Sequence, residues 1–445
     1  MRWRNLVLAL LVVLFLCLLV FMVYRIPLVH DQFAWRVANL QAKLHRAIHP
    51  PEQVVFIPGE QGNPEIVQTI AQATLDVLFL TSTPTQFLLV SPSSSISASV
   101  VSSNTPLPSA TSTPSPTPIP TKTLLTGIVH EYQKFNNCGP ANLAMTLSYW
   151  GWQGDQRDTR LFLRPNLDVD DKNVMPEEMV RFVETQTNFR AITRLGGDLE
   201  LLKRLIAAGF PVLIEMGHHP PDDWWMGHFL VINGYDDEVG FFTAQDSLIQ
   251  PDMPVLYNDL STRWWRDFNY VYLVVYPVEK EAEISSILGP QLDQAYNYQY
   301  AAEKARTEIP ILTDRDQFFA WFNLGSSLVG LGDYTGAAQA YDQAFVLYQS
   351  LSEEQRPYRL MWYQIGPYLA YYHTARYQDV INLANTTFSW VGQPVLEESY
   401  YWRGKAYEAI GKLNLAIADY RKAALLNPNY LPPRQELERL GESLP

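Results

Sequence analysis

The sequence predicts an α+β domain joined to an all-α array of helical repeats, both carried behind an N-terminal transmembrane helix. Three observations predict this. Short apolar runs bounded by turn residues alternate with helical stretches between residues 126 and 278. A helix-pair pattern recurs at 318–350 and 397–430. Residues 6–24, LVLALLVVLFLCLLVFMVY, carry no charge over a run long enough to cross a bilayer as a helix.

The anchor is assigned to residues 1–25. Arg2 and Arg4 precede the apolar run and Arg25 stops it. The segment that follows, RIPLVHDQF, offers no small-x-small cleavage site, so an uncleaved span is expected, with a cleaved signal peptide as the alternative. Residues 26–80 form a juxtamembrane segment. Within it, 31–48 has apolar positions at helical spacing and ends at Pro50-Pro51, which predicts a short amphipathic helix. Residues 81–124 are rich in Ser, Thr and Pro and carry no charge before Lys122. Such composition cannot bury enough apolar area to offset chain entropy, so a disordered stalk is expected, extending on the order of 100 Å. A stalk beside a span places the folded domains outside the cytoplasm. Positive charge on both sides of the span leaves the positive-inside rule nearly silent.

Residues 125–280 read as the α+β domain. A helix is expected after Cys138, through ANLAMTLSYWGW, and another over 198–209, stopped by Gly209. Strands are expected at 211–216, 228–235, 240–246 and 270–276, with Asp236, Asp237 and Gly240 turning a hairpin between the second and third. From about 290 to 445 the chain is helical. Trp321, Leu324, Gly325, Ala337, Tyr341 and Ala344 mark the first copy of the pattern, and Tyr400, Gly404, Tyr407, Ala416, Tyr420, Ala423 and Pro428 mark the second. This spacing resembles the tetratricopeptide repeat, in which small residues let two antiparallel helices approach and aromatics fill the space between repeats. The stretch between keeps Gly366 and Tyr377 but has Val380 where alanine is expected, and resembles a degenerate middle repeat. The resemblance implies an unidentified protein partner for the array, with a plain helical spacer as the alternative.

The net charge of −13 argues against a nucleic-acid partner. Only two cysteines are present, and Cys17 lies in the apolar run, so no disulfide framework is available. Cys138, in YQKFNNCGPANLAM, stands at a helix start with Pro140 at an early helical position. The positive end of a helix stabilises a thiolate, and the Cys138 amide can serve as an oxyanion donor. His228, opening an apolar strand in GHFLVINGYDD, is the candidate base. Asp246 closes the partner strand of the hairpin, so antiparallel pairing brings both to one end of the sheet. Asp236 and Asp237 sit in the turn at the other end and are expected to be exposed bystanders.

The order Cys, His, Asp, with CGPA before a helix and GHFLVINGYDD before an acid, resembles the papain-like cysteine peptidases of the C39, or bacteriocin-processing, clan. The resemblance covers about 126–278. It implies an α+β papain-like fold, Cys138 as nucleophile, His228 as base, Asp246 as orienter, and a glutamine ahead of the cysteine as oxyanion donor. Gln133 matches at five residues where six is usual, leaving Asn137 or Asn136 as substitutes. His218, His219, Asp222, Asp223 and His228 fit no zinc spacing, and neither a metal nor another cofactor is expected. No phosphate-binding loop or ATPase motif occurs. The expected activity is peptide-bond hydrolysis on a peptide or protein substrate. The alternatives are a non-catalytic binding module acting as an adaptor, and thiol-dependent amide hydrolysis or transfer on a non-peptide substrate.

Overall fold

The computed structural model describes residues 55–59, 119–165, 174–220, 224–390 and 396–445, together with Phe15. The rest of the apolar run 6–24, the helix expected at 31–48 and the Ser/Thr/Pro tract up to 118 lie outside the described residues. Among the described residues, no helix is long and apolar enough to cross a membrane.

The α+β domain is built on a seven-stranded antiparallel sheet. Its strands are β1 (Lys122–Leu124), β2 (Phe189–Arg194), β3 (Val212–His218), β4 (Met226–Asp236), β5 (Phe241–Gln245), β6 (Met253–Leu256) and β7 (Tyr272–Pro277). The order is β2-β7-β3-β4-β5-β6, with β1 paired to the far end of β4. The four expected strands are present, and β1, β2 and β6 are additions.

Both faces of this sheet are covered, which explains why its central strands read as continuous apolar runs. Alternate residues go to opposite sides. Leu213, Phe229, Leu273 and Val275 pack under α1 (Cys138–Tyr149), α2 (Gln156–Leu163) and α3 (Pro176–Gln186). Val212, Ile214, Leu230, Ile232 and Val274 pack under α4 (Leu199–Ala207) and α5 (Glu281–Leu288). Each such side chain contributes roughly 1.5–3 kcal/mol by leaving water. Ile284 and Leu288 of α5 belong to this core, so the domain runs past the expected boundary at 280.

The stalk boundary also moves. Strand β1 lies inside the segment assigned to the stalk, and the Tyr235 hydroxyl donates to the Pro120 carbonyl at 2.6 Å. The last residues of the Ser/Thr/Pro tract are therefore part of the sheet. Strand β1 corrects the expectation for Asp236 as well. That carboxylate is buried, not exposed, and pairs with Lys122 at 2.6 Å.

The helical array opens with α6 (Gln294–Glu308) and contains three helix pairs. These are α7 (Asp314–Gly330) with α8 (Tyr334–Ser350), α9 (Gly366–His373) with α10 (Tyr377–Ser389), and α11 (Glu397–Ala409) with α12 (Leu413–Leu426). Helix α13 (Leu431–Arg439) follows them. In the outer pairs the glycine is required by contact: a Cβ on Gly325 would sit 2.7 Å from the Tyr341 ring, and one on Gly404 2.8 Å from the Tyr420 ring. Gly366 does something else. It begins the short helix α9 and abuts the Tyr341 hydroxyl of the preceding pair.

The shortness of α9 has a structural use. The chain ahead of it, including the turn Leu360–Trp362, is freed to pack on the α+β domain. Tyr363 meets Trp225 and Phe268 edge-on, and Tyr358 meets Trp224. Trp225, Phe268 and Val271 share one apolar cluster with the array. Around it, Asp267 accepts from Trp225 Nε1 at 2.8 Å and is ion-paired with Arg315. Asn323 Nδ2 donates to the Arg266 carbonyl at 2.8 Å, and Gln364 Nε2 to the Asp267 carbonyl at 2.7 Å. Domain and array are thus joined through a packed, hydrogen-bonded seam.

Candidate active site

Cys138 is the first residue of α1. The chain reaches it through a tight turn in which Asn137 N–H donates to the Lys134 carbonyl at 3.1 Å and Asn136 takes a positive φ of 49°. Asparagine tolerates that conformation better than most side chains. Arg164, almost wholly buried, donates to the Phe135 and Asn136 carbonyls at 3.1 and 2.7 Å and fixes the turn from behind. No acidic residue occupies the first turn of α1, so no side chain of that turn offsets the positive helix end at the sulfur.

His228 lies two residues inside β4, and Asp246 directly follows β5. Pairing of Val231 with Gln245 brings them to one end of the sheet, as the hairpin argument expected. A β-bulge at Asn233 absorbs one residue between the turn and this end. His228 Nε2 and Asp246 Oδ1 are 2.9 Å apart, and both side chains are 2% exposed or less. Asp246 Oδ1 also accepts the backbone N–H groups of Leu248 at 2.8 Å and Ile249 at 3.0 Å. With Nε2 engaged, Nδ1 is left to face the thiol.

The electrostatics follow from this chain of groups. Burial pushes the Cys138 thiol up. The hydrogen bond and charge of His228, with backbone hydrogen bonds from Phe229 and Gly139, more than offset it and leave the thiol below its ordinary range. Burial pushes the His228 imidazole down, but Asp246 and Cys138 override it and raise the group to about 10. Asp246 is held low: burial raises it, and His228 and the two backbone donors outweigh that. These opposing influences bias Cys138 toward the thiolate and His228 toward the imidazolium, with the Asp246 carboxylate bracing the imidazole.

Gln133 joins the same cluster. Its backbone N–H donates to the Ser247 carbonyl at 2.7 Å, and its side-chain Oε1 accepts from Ser247 Oγ at 2.8 Å. That bond fixes the amide with Nε2 as its donor end. Asn137 is placed differently. Its Nδ2 is spent on Gln156 Oε1 at 2.9 Å, in a buried network that supports the turn. Asn136 gives its carbonyl to Arg164 and its backbone to the turn. Of Gln133 and Asn137, Gln133 is the one whose amide nitrogen is not spent on Gln156.

Sequence reasoning missed four supporting residues. Asn142 Nδ2 donates to the carbonyls of Cys138 at 2.9 Å and Phe229 at 2.7 Å, and to Ser247 Oγ at 2.9 Å, tying α1 to β4. Its signal was a polar side chain one turn after the cysteine on an otherwise apolar helix. Ser247 and Arg164 gave no such signal, because the groups they bond, the Gln133 and Asn142 side chains and the Phe135 and Asn136 carbonyls, are distant from them in sequence. Tyr363 comes from the array. Burial holds its phenol well above the ordinary range, and the Cys138 charge lies close enough to add to this. A Cβ on Gly227, beside His228, would sit 2.7 Å from the Tyr363 ring. The array therefore packs against the strand end that carries His228.

The histidines weighed as metal ligands are otherwise arranged. The His218 and His228 rings lie 5.5 Å apart, His219 is exposed, and Asp222 and Asp223 lie outside the described residues. Among the described residues, Glu178, Glu397 and Glu398 bring carboxylate oxygens within 4.8 Å of one another, at the boundary with the array. Asn427 Nδ2 donates to Glu397 there at 2.8 Å.

Residues 125–273 match the model of the Peptidase_C39 like family, and residues 320–349 and 397–430 match the tetratricopeptide repeat. The chain carries a C39-like α+β peptidase-family domain followed by tetratricopeptide repeats. Among solved structures it is similar to a C39-like peptidase from Bacillus anthracis, at 19% identity over 35% of this chain and 96% of that one, with a TM-score of 0.30. It is also similar to xylellain, a cysteine protease from Xylella fastidiosa, at 14% identity over 36% and 87%, with a TM-score of 0.28. No curated protein matches the chain.

Asp246 lends itself to a graded test. Its Oδ2 is buried and has no hydrogen-bond partner among the described residues. Asp246→Asn can keep all three bonds at Oδ1 and place its amide nitrogen at the vacant oxygen, losing the charge but not the geometry. Alkylation of Cys138 should fall about tenfold, equivalent to one pKa unit of imidazolium support. Asp246→Ala should cost more, and Asp236→Asn, at the far end of β4, nothing. Second-order labelling rates check this. Equal rates for the parent and Asp246→Ala would remove Asp246 from the site.

Proposed function

We propose that this chain is a membrane-tethered cysteine peptidase. Its folded part faces away from the cytoplasm, and its tetratricopeptide array binds protein. The observation that carries the proposal is the continuous Cys138–His228–Asp246 chain at a helix start, with each group's protonation biased toward the reactive pair. The Cys138 thiolate attacks the scissile carbonyl. The Cys138 backbone N–H, which as a helix-start donor has no intrahelical partner, and Gln133 Nε2 receive the oxyanion. The His228 imidazolium protonates the leaving amine, then accepts a proton from the water that resolves the thioester. Tethering and orientation rest on the apolar run 6–24 and the uncharged Ser/Thr/Pro tract that follows.

The test is labelling of the full chain with a peptide-derived acyl electrophile, followed by mass spectrometry and by hydrolysis of a peptide library. Cys138, not Cys17, should be modified below pH 7, and internal peptide bonds should be cut by the parent but not by Cys138→Ala. If Cys138 reacts only with an ordinary thiol's profile, near pH 8.5, the activated-nucleophile reading fails. Reactive Cys138 without peptide cleavage would redirect the proposal to non-peptide amides.

A further inference from the structure

A short piece of the juxtamembrane segment lies far from where the sequence places it. Val55–Gly59, VFIPG, is seated on the tetratricopeptide array between α8, α9 and α10. Phe56 is 3% exposed, with its ring 4.9 Å from Phe345, edge-on, and 6.0 Å from Tyr371. Pro58 is buried beside it. Gly59 N–H donates to Asp379 Oδ1 at 2.8 Å. Gly59 does this with φ at 72°, a conformation that favours glycine.

The receiving surface is a built slot. Asp379 is almost buried and is braced by Arg376 Nε at 2.7 Å. Arg376 in turn bonds Asp342 at 2.7 Å, and Tyr371 Oη donates to Asp342 at 3.0 Å. An apolar floor for one aromatic ring thus ends in an ordered carboxylate aimed at a backbone N–H. These elements recognise a short segment that turns at Pro58-Gly59, by one aromatic anchor and by main-chain polarity, and a proline between them lowers the ordering cost.

We propose that this slot is a peptide-recognition site for an aromatic-x-proline-glycine segment, and that Val55–Gly59 of the same chain is its resident ligand. The segment latches the N-terminal region onto the array in cis. A partner protein presenting the same chemistry binds by displacing it. This deepens the protein-binding role proposed for the array. Its test does not read Cys138 chemistry, so the two proposals fail separately.

The experiment uses the full chain and its Phe56→Ala variant, which alters the ligand and leaves the slot intact. Amide exchange at Gly59 should be at least about tenfold slower in the parent than in the variant, because docking shields and hydrogen-bonds that N–H. A fluorescent peptide spanning residues 53–61, QVVFIPGEQ, should bind the vacated slot of Phe56→Ala at least about tenfold more tightly than the parent, where the tethered copy competes at high effective concentration. Equal Gly59 exchange in the two chains overturns the latch. Equal peptide binding by both, or none by either up to millimolar peptide, overturns the recognition site. Protection that disappears on hundredfold dilution of the chain overturns its intramolecular character.

Discussion

His228→Ala should lower alkylation of Cys138 at pH 6–7 by about 10²–10⁴-fold, the range for losing a positioned acid–base partner. The pH profile should change shape as well. In the parent, the thiolate forms as pH rises through a thiol pKa held below its ordinary range, and reactivity is then flat until the imidazolium is lost near pH 10. Without the imidazole, burial is the dominant influence left on the sulfur, and it acts upward. The variant should therefore show a single rise at or above the ordinary thiol pKa of about 8.5. Circular dichroism should be unchanged, because the side chain lies at the end of a strand whose core neighbours, Phe229 and Leu230, are untouched. A variant that keeps the parent's low-pH plateau would assign the activation of Cys138 to the helix end alone.

Arg315→Leu should destabilise the protein by about 3–5 kcal/mol, the usual cost of leaving a buried charge without its partner. Asp267 is fully buried, and burial already pushes its carboxyl up against the opposing pull of Arg315 and Trp225. With the guanidinium gone, the Trp225 indole remains as its charge-supporting neighbour. Adding Asp267→Asn should recover much of the loss, since a neutral amide can still accept from Trp225 Nε1. Urea unfolding of the single and double variants measures both effects. The single variant should also label more slowly at Cys138, because the Asp267 turn packs beneath Phe268 and Tyr363, beside Gly227 and His228. If single and double variants are equally stable, Asp267 is not the charge that Arg315 neutralises.

The parts of this protein that were legible in its sequence are those with local signatures. The central strands were visible because a sheet covered on both faces needs unbroken apolar runs. The outer helix pairs were visible because Gly325 and Gly404 must admit a tyrosine ring. The Cys138, His228 and Asp246 cluster was legible because a hairpin fixes which strand ends coincide. What stayed hidden depends on contacts distant in sequence. Strand β1 is three residues long, and its partner lies more than a hundred residues away. That Gln156 binds the Asn137 amide nitrogen, while Gln133 bonds Ser247, could not be read from sequence. Tyr363 could not be assigned to the site, because nothing local says that a shortened helix turns its preceding residues toward another domain. The five residues Val55–Gly59 are too few to carry any periodicity.

The placement of those five residues changes what the Ser/Thr/Pro tract can do. Gly59, on the array, and Ile119, beside the sheet, fix the two ends of the tract 60–118. A tract held at both ends is a closed loop, and under the proposed tethering its length does not set how far the C39-like domain stands from the proposed N-terminal span. That distance falls to the stretch between residues 24 and 55, roughly 100 Å at full extension. For a closed loop, length enters the free energy only logarithmically, and doubling it costs about 0.6 kcal/mol. If the chain is tethered as proposed, halving or doubling residues 60–118 should therefore leave the distance of the domain from the membrane unchanged, whereas a few residues added between 24 and 55 would move it directly.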